Sequence, residues 1–224
     1  MDDILTFNIT SFSGNARLIW HIKEGKTMKM TGVWSLACAF VLCLVLMPIH
    51  KSALAESSDI EVGKTYYLEC NLHADPNKNK LSSVNYQLAG KVLKWGTPIK
   101  IKKISKGKVK FEASGENFTY EIHKRTRKIT TVRDHLARFL TTDPNKLKTR
   151  VGSLSSVDKK GIEDARAMVG MSKQGVLIAI GYPPEFVVTD PMAASSWQYW
   201  RNRWGKFVVI FDTHAKVKDI AGNY

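Results

Sequence analysis

Residues 206–212 read KFVVIFD, so that five consecutive apolar side chains, Phe207–Phe211, stand between a lysine and an aspartate. A short apolar run of this kind predicts a strand that is covered on both faces, and therefore a central strand of a sheet. Strand patterns flank it at residues 197–203 and 216–220. The end of the chain is thus predicted to form a three-stranded antiparallel sheet.

Two helices are predicted before this sheet. Asp158 is the expected N-cap of the first helix and Gly170 its expected end. The apolar stripe of that helix comprises Ile162, Ala165 and Val169. Ser172 is the expected N-cap of the second helix, which Gly181 and the following Pro183-Pro184 should end. The second apolar stripe comprises Val176, Leu177 and Ile180.

The order helix, helix, strand, strand, strand resembles the SmpA/OmlA lipoprotein domain, the small accessory subunit of the outer-membrane β-barrel assembly machinery. The matching positions are Gly170–Lys173, Val176, Ile180–Pro183, Trp197–Tyr199, Val209–Asp212 and Val217. The family's lipidated cysteine is absent after the signal segment, Gly175 lies inside the second helix, and His214-Ala215 replaces a glycine turn. The resemblance implies a non-enzymatic accessory role in outer-membrane protein assembly.

Residues 59–122 are predicted to be mostly β. Apolar and charged residues alternate in IKIK (99–102), VKFE (109–112) and FTYEI (118–122), which predicts a meander with one apolar and one charged face. The region resembles the SH3-like modules of bacterial envelope proteins, and residues 131–140 should form a short helix after it. The Asp-Pro-Asn and Ser/Gly signals of residues 141–156 predict a linker.

The predicted fold class is therefore α+β, with a small SH3-like β-barrel domain at 59–140 and a two-helix, three-stranded antiparallel domain at 157–224. Residues 28–55 are expected to be a cleaved signal peptide, because a basic start precedes an apolar run at 33–47 and an Ala-Leu-Ala site. An uncleaved anchor is the alternative, although that run is shorter than the about 20 residues of a membrane-spanning helix. Residues 1–27 do not fit before a signal peptide, and the translation start is expected at Met28 or Met30.

The chain carries 34 Lys and Arg against 20 Asp and Glu, a net charge of +14. Such an excess favours acidic partners: anionic lipid, lipopolysaccharide phosphate, cell-wall polymers or nucleic acid. Export disfavours nucleic acid. We therefore expect a periplasmic or outer-membrane-associated protein, with peripheral membrane association and no evident lipid anchor. Its partner is expected to be an envelope protein or an anionic lipid or glycan.

The densest basic run spans residues 123–128, HKRTRK. It is either a solvated strand end or turn, or an anion-binding patch, since arginine binds phosphate bidentately. The candidate anion-binding residues are Lys124, Arg125, Arg127 and Lys128, joined by Lys100, Lys102 and Lys110 from neighbouring strands.

Aromatic and arginine side chains crowd residues 197–204. One face of this segment should enter the core, and a second aromatic face would be a partner surface, because Trp, Tyr and Arg dominate binding hot spots. The candidate partner-surface residues are Trp197, Tyr199, Trp200, Arg201, Arg203 and Trp204. Trp197, at the start of a strand, is expected to be more exposed than Phe211.

The sequence contains no recognisable catalytic or metal-binding constellation. The histidines after the signal segment do not stand at ligand spacing, and no Gly-x-Ser-x-Gly motif is present. Cys70 is the single cysteine after residue 55 and is expected to be buried. The sequence predicts a non-enzymatic envelope protein without a cofactor. A cell-wall or anionic-glycan binding module, and a periplasmic enzyme with an unrecognised site, are the alternatives.

Overall fold

An eight-stranded curled sheet occupies the first half of the folded chain in the computed structural model, which describes residues 60–222. The expected signal peptide and the segment before it lie outside the described residues. The strands are β1 (Thr65–Leu68), β2 (Leu72–Asp75), β3 (Lys80–Ser82), β4 (Lys91–Leu93), β5 (Pro98–Ser105), β6 (Lys108–Ala113), β7 (Glu116–Glu121) and β8 (Leu140–Thr141). Their order is β4-β2-β3-β7-β6-β5-β1-β8, and the one parallel pair is β3 with β7.

The predicted meander is the β5-β6-β7 part of this sheet. Gly107 and Gly115 lie in the two connecting turns with φ of +91° and +78°, a backbone region that glycine adopts without strain. Ile99, Ile101, Val109 and Phe111 point into the core, and the lysines between them face solvent. The alternation of apolar and charged residues is therefore confirmed, while the SH3-like character of the sheet stays a prediction.

Two short helical segments follow β7: a 3-10 helix at Thr126–Lys128 and helix α1 at Val132–Ala137. Helix α1 is shorter than the predicted helix, because Leu140 already belongs to β8. Thr131 caps it by accepting a hydrogen bond from the Asp134 N–H.

The segment predicted as a linker, 141–156, contains helix α2, which spans Pro144–Gly152, while its role between two domains stays a prediction. The Asp143 side chain accepts hydrogen bonds from the N–H groups of Asn145 and Lys146, and Pro144 occupies the first turn. Leu147 and Val151, one turn apart, are buried. The Asp-Pro pair thus begins a helix here instead of marking a loop.

Helix α3 spans Ser156–Glu163, and its N-cap is Ser155 rather than Asp158. Asp158 lies in the first turn, where its N–H donates to Ser155 Oγ. The helix ends well before Gly170, because Ala165 has a φ of +52°. Val169 is consequently 61 % exposed and belongs to no buried stripe.

Helix α4, at Lys173–Ile180, has the predicted ends. The Ser172 side chain accepts from the Gly175 N–H, and Gly181 ends the helix with a φ of +77°. Asp158 accepts hydrogen bonds from both the N–H and the hydroxyl of Ser172, at 2.7 and 3.1 Å. A Cβ at position 175 would clash with the Asp158 carboxylate. Glycine is therefore required at this helical position because α3 contacts α4 so closely.

The second sheet contains β9 (Ser196–Trp200), β10 (Lys206–Phe211) and β11 (Val217–Ala221), in the order β11-β10-β9 and all antiparallel. The central position of β10 is confirmed. Only one of its faces, Phe207, Val209 and Phe211, is fully buried, and the other is half-buried. Strand β9 ends at Trp200, so that Arg201 and Arg203 lie in the turn to β10 instead of in the predicted strand.

Two hydrophobic clusters fill the compact unit to which the described residues, 60–222, belong. The first draws on residues 60–140 and the second on residues 147–217. The division into two domains stays a prediction. Among residues 60–222, no helix has the length and apolar character needed to cross a bilayer.

Candidate anion-binding surfaces

The outer side of β5 and β6 carries five exposed lysines, which we call the lysine face: Lys100, Lys102, Lys103, Lys108 and Lys110. The sequence predicted three of them. The pairing of β5 with β6 shifts register between Ile101 and Lys103, and both Lys102 and Lys103 are exposed as a result. Strict alternation would have placed Lys103 inward, which is why the sequence pattern missed it.

Charges on the lysine face are only partly neutralised. Lys102 pairs with Glu112 at 2.6 Å and Lys108 with Glu121 at 2.9 Å. The hydrogen bond from Lys102 lowers the pKa of Glu112. Lys103 lies directly opposite Lys110 in the ladder. Neither of these two lysines forms an ion pair with another residue of the described range, 60–222.

The predicted basic run forms an exposed turn, which we call the basic turn, Lys124–Lys128. Its four cationic residues are all exposed, whereas Thr126 between them is buried. The Arg127 side chain lies against Gly107, in the turn between β5 and β6. The guanidinium of Arg125 lies over the ring of Phe186 at 5.5 Å. The basic turn therefore adjoins the end of the lysine face that carries Lys108.

The predicted aromatic partner surface is wrong for Trp197 and Tyr199, which are fully buried. Trp197 donates its indole N–H to the Pro191 carbonyl, and the Tyr199 hydroxyl donates to the Gly181 carbonyl. Trp200 is half-buried beside Phe186, with ring centroids 5.9 Å apart. Of the four aromatic residues in this set Trp204 is the exposed one, at 84 %, and the neighbouring Arg203 is exposed as well. The sequence correctly predicted that one face of this segment enters the core. It did not predict that Trp197 and Tyr199 belong to that face.

Arg201 and Arg203 instead line a cleft between the first sheet, the end of α3 and the turn from β9 to β10. The cleft has a first lobe of about 490 Å³ and a second of about 560 Å³. His73, Leu88 and Arg201 line both lobes. Arg166 lines the first lobe, and Lys78, Lys80 and Arg203 line the second.

Each acidic group of the cleft is engaged with a neighbour. Asp164 pairs with Lys160 at 3.0 Å, and Glu121 pairs with Lys108. The Asp75 carboxylate accepts from the N–H groups of Asn77 and Lys78. The cleft therefore has a positive balance of charge, which favours an anionic occupant.

Three residues of the first lobe each hold a buried polar atom without a hydrogen-bond partner among the described residues: His73 Nε2, Gln87 Oε1 and Arg201 Nε. Burial lowers the pKa of His73 to about 4, so that its ring is neutral at neutral pH. Gln87 is oriented by its amide Nε2, which donates to the carbonyls of Asn85 and Ile180. No sequence pattern indicated His73 or Gln87, since neither stands in a recognisable motif.

A buried polar chain joins Tyr120, His135 and Glu185. The Tyr120 hydroxyl lies 2.8 Å from His135 Nε2, and His135 Nδ1 lies 3.1 Å from Glu185 Oε1, which also contacts Arg138. The adjacent cavity of about 20 Å³ has room for about one water molecule. Neighbouring Cys70 is buried, as predicted, and desolvation raises the pKa of its thiol to about 12. Because this cavity is too small for a substrate, we interpret Tyr120, His135 and Glu185 as a structural hydrogen-bond network.

Within residues 60–222, no group of three or more His, Cys, Asp or Glu side chains is arranged to hold a metal ion. No family model, curated protein or solved structure matches this chain. The resemblances to SmpA/OmlA and SH3-like modules stay predictions.

Proposed function

We propose that the protein is a non-enzymatic envelope protein that attaches to an anionic lipid surface through the lysine face and the basic turn. The observation that carries this proposal is the pairing of Lys103 with Lys110, two like charges directly opposite each other on an exposed sheet face. Like charges directly opposite each other destabilise a sheet. A negatively charged surface offsets this repulsion, because it supplies the counter-charge that Lys103 and Lys110 do not receive from another described residue.

The chemistry of the side chains suits a lipid surface. Lysine is a flexible point charge, and each lysine near an anionic membrane contributes about 1 kcal/mol to attachment. Ile129, directly after the basic turn, is 54 % exposed, and on this proposal it enters the boundary between headgroups and acyl chains. Sedimentation of residues 56–224 with vesicles tests the proposal. Binding to anionic but not to neutral vesicles supports it, and equal binding to both contradicts it.

A second candidate function is that of an accessory factor in outer-membrane protein assembly, as implied by the SmpA/OmlA resemblance. The order α3, α4, β9, β10, β11 supports it, and so does the position of β11 at the edge of its sheet. On this proposal, β1 to β8 are an SH3-like module attached to that domain. Cross-linking in intact envelopes tests it, since recovery of barrel-assembly subunits supports the accessory role and their absence removes it.

Export itself also stays a proposal and rests on the pattern of residues 28–55. The N-terminal sequence of the protein recovered from an envelope fraction is expected to begin at Glu56. A retained 28–55 segment would replace the cleaved signal peptide with a membrane anchor.

A further inference from the structure

Trp204 differs from the other tryptophans of the described residues in its exposure to solvent. It is 84 % exposed, whereas Trp197 is fully buried and Trp95 and Trp200 are half-buried. It lies in the turn from β9 to β10, which we call the tryptophan turn, Arg201–Gly205. An indole ring has an apolar body and a polar N–H, and it is therefore well suited to a boundary between an apolar and an aqueous layer. The exposure of this ring indicates a contact outside the fold.

Hydrogen bonds hold the backbone of the tryptophan turn in place before any such contact forms. Asn202 Oδ1 accepts from the N–H groups of Trp204 and Gly205, at 2.9 and 2.8 Å. The Arg201 N–H donates to the Gly205 carbonyl at 3.0 Å, which closes the turn. A contact through Trp204 therefore requires little ordering of the main chain, and such ordering is one of the costs of binding.

Cations accompany the exposed ring. The Arg203 guanidinium lies over the Trp204 ring, 5.5 Å from its centroid, and exposed Lys206 begins the next strand. Neither cation forms an ion pair with another residue of the range 60–222. No acidic residue occurs between Ser196 and Phe211. This combination fits the surface of an anionic bilayer, where tryptophan lies at the headgroup level and Lys and Arg are attracted to the lipid charge.

Two neighbouring aromatic rings connect the tryptophan turn to the basic turn. The guanidinium of Arg125, in the basic turn, lies over the Phe186 ring at 5.5 Å. The Phe186 ring lies 5.9 Å from the ring of Trp200, and Lys206 Nζ lies over Trp200 at 4.9 Å. Cations and aromatic rings therefore form one continuous series from the basic turn to the residue after the tryptophan turn.

A second connection runs from the lysine face. Lys108 pairs with Glu121 at 2.9 Å, and Glu121 lines the second lobe of the cleft together with Lys80 and Arg203. The tryptophan turn therefore adjoins both parts of the surface that we propose to meet lipid. This position favours a bilayer over a protein as the partner of Trp204.

We propose that the tryptophan turn is a second membrane contact, in which the Trp204 ring enters the boundary between headgroups and acyl chains while Arg203 and Lys206 bind lipid phosphates. This contact rests on the proposed attachment of the protein to anionic lipid, and it deepens that function by adding an apolar anchor. The lysine face binds through charge, which salt screens, whereas an inserted ring binds through the apolar area that leaves water. Trp204 should therefore sustain binding at salt concentrations that weaken the lysines.

Fluorescence quenching by brominated lipid tests where the ring lies. Residues 56–224 are used, because every described helix and strand and both hydrophobic clusters lie within them. The vesicles contain anionic phospholipid and a phospholipid that is brominated either near its headgroup or near the end of its acyl chains. We expect the bromines near the headgroup to quench the parent more strongly, and this quenching to disappear in Trp204→Phe. Bound protein without quenching would leave the ring in water, free to contact a protein, and overturns the proposal.

Partitioning onto the same vesicles measures what the ring contributes. Trp204→Ala should weaken partitioning about tenfold, because the apolar contact is lost. The control is Val169→Ala, since Val169 is also exposed, at 61 %. Its neighbour Gly170 donates to the carbonyl of Val217, which pairs with Phe211 at the end of β10 far from Trp204. The control should bind and melt as the parent does, and Trp204→Ala should also keep the melting temperature of the parent.

The lysine-face variant K100Q/K103Q/K110Q separates this contact from the proposed function. Binding that Trp204→Ala retains while the lysine-face variant loses it overturns the tryptophan turn and leaves the lysine face in place. The reverse result supports the tryptophan turn and contradicts attachment through the lysine face. A parent protein that binds no anionic vesicle overturns both.

Discussion

The side-chain amide of Asn85 donates a hydrogen bond of 3.2 Å to the main-chain carbonyl of Asn71, and both residues are buried between the two hydrophobic clusters. Asn71 in turn donates its side-chain amide to the carbonyls of Ile162 and Ala179, both at 2.9 Å. These carbonyls belong to α3 and α4, so the amides connect the helices to the first sheet. The two clusters are therefore joined by specific polar contacts.

Replacing Asn71 should destabilise the whole unit. Its side chain also accepts from the Trp95 N–H, so Asn71→Ala removes three hydrogen bonds to main-chain groups. The Ile162 carbonyl keeps the Ala165 N–H as a donor, whereas a buried group that is left unsatisfied costs about 1–3 kcal/mol. We expect a large drop in the free energy of unfolding, measured by chemical denaturation, with Asn117→Ala on the exposed side of β7 as the control. Equal stability of the two variants would mean that the clusters are not coupled through Asn71.

Trp197 should matter more for stability than Phe211. The two rings pack edge to face with centroids 4.5 Å apart, but Trp197 is fully buried and hydrogen-bonded, whereas Phe211 is 6 % exposed. Truncation of either to Ala should cost about 3–5 kcal/mol, with Trp197→Ala toward the upper end. This ordering reverses the expectation from sequence. Thermal melts of residues 56–224 decide it, and a lower melting temperature for Phe211→Ala would contradict the observed packing.

Two helical glycines should respond oppositely to alanine. A Cβ at Gly175 meets the Asp158 carboxylate, whereas at Gly152 it meets nothing within 4 Å. Gly175→Ala should therefore destabilise the protein. Gly152→Ala should leave it unchanged or stabilise it by up to about 1 kcal/mol, because alanine loses less backbone entropy on folding. Denaturation midpoints measure both, and a neutral Gly175→Ala would show that α3 and α4 separate more easily than the contact implies.

Much of the architecture could be predicted from local patterns. Ser172 and Gly181 mark the ends of α4 because capping and a positive φ leave residue-type signals. The failures share a physical cause, which is that tertiary contacts decide the outcome. Asp158 resembles a cap, but its carboxylate bonds to Ser172, fourteen positions away. The cleft was missed because His73, Gln87 and Arg201 come from segments that only the fold brings together.

Stability should fall with decreasing pH because of His73. Burial lowers its folded-state pKa to about 4 from an ordinary value of 6.5, so the unfolded chain takes up the proton first. The free energy of unfolding that this shift contributes above pH 6.5 is lost as the pH falls toward 4. The loss amounts to up to about 3 kcal/mol, because each unit of pKa difference corresponds to about 1.36 kcal/mol. Urea denaturation between pH 7 and pH 5 avoids most carboxylate titration. In His73→Gln the change of unfolding free energy with pH should be smaller. An unchanged pH dependence in this variant would mean that other groups cause it.

The central claim, attachment of the lysine face to anionic lipid, is tested most directly by two triple variants with the same change in charge. One is K100Q/K103Q/K110Q on the lysine face, and the other is the control K148Q/K159Q/K218Q, whose lysines are also exposed. Partitioning of residues 56–224 onto vesicles containing anionic phospholipid is measured at low and high salt. Exposed charges are screened over about 10 Å at 0.1 M salt, so binding should weaken as salt rises. We predict that the lysine-face variant loses most of its low-salt binding while the control keeps it, and equal losses in the two variants would contradict the account.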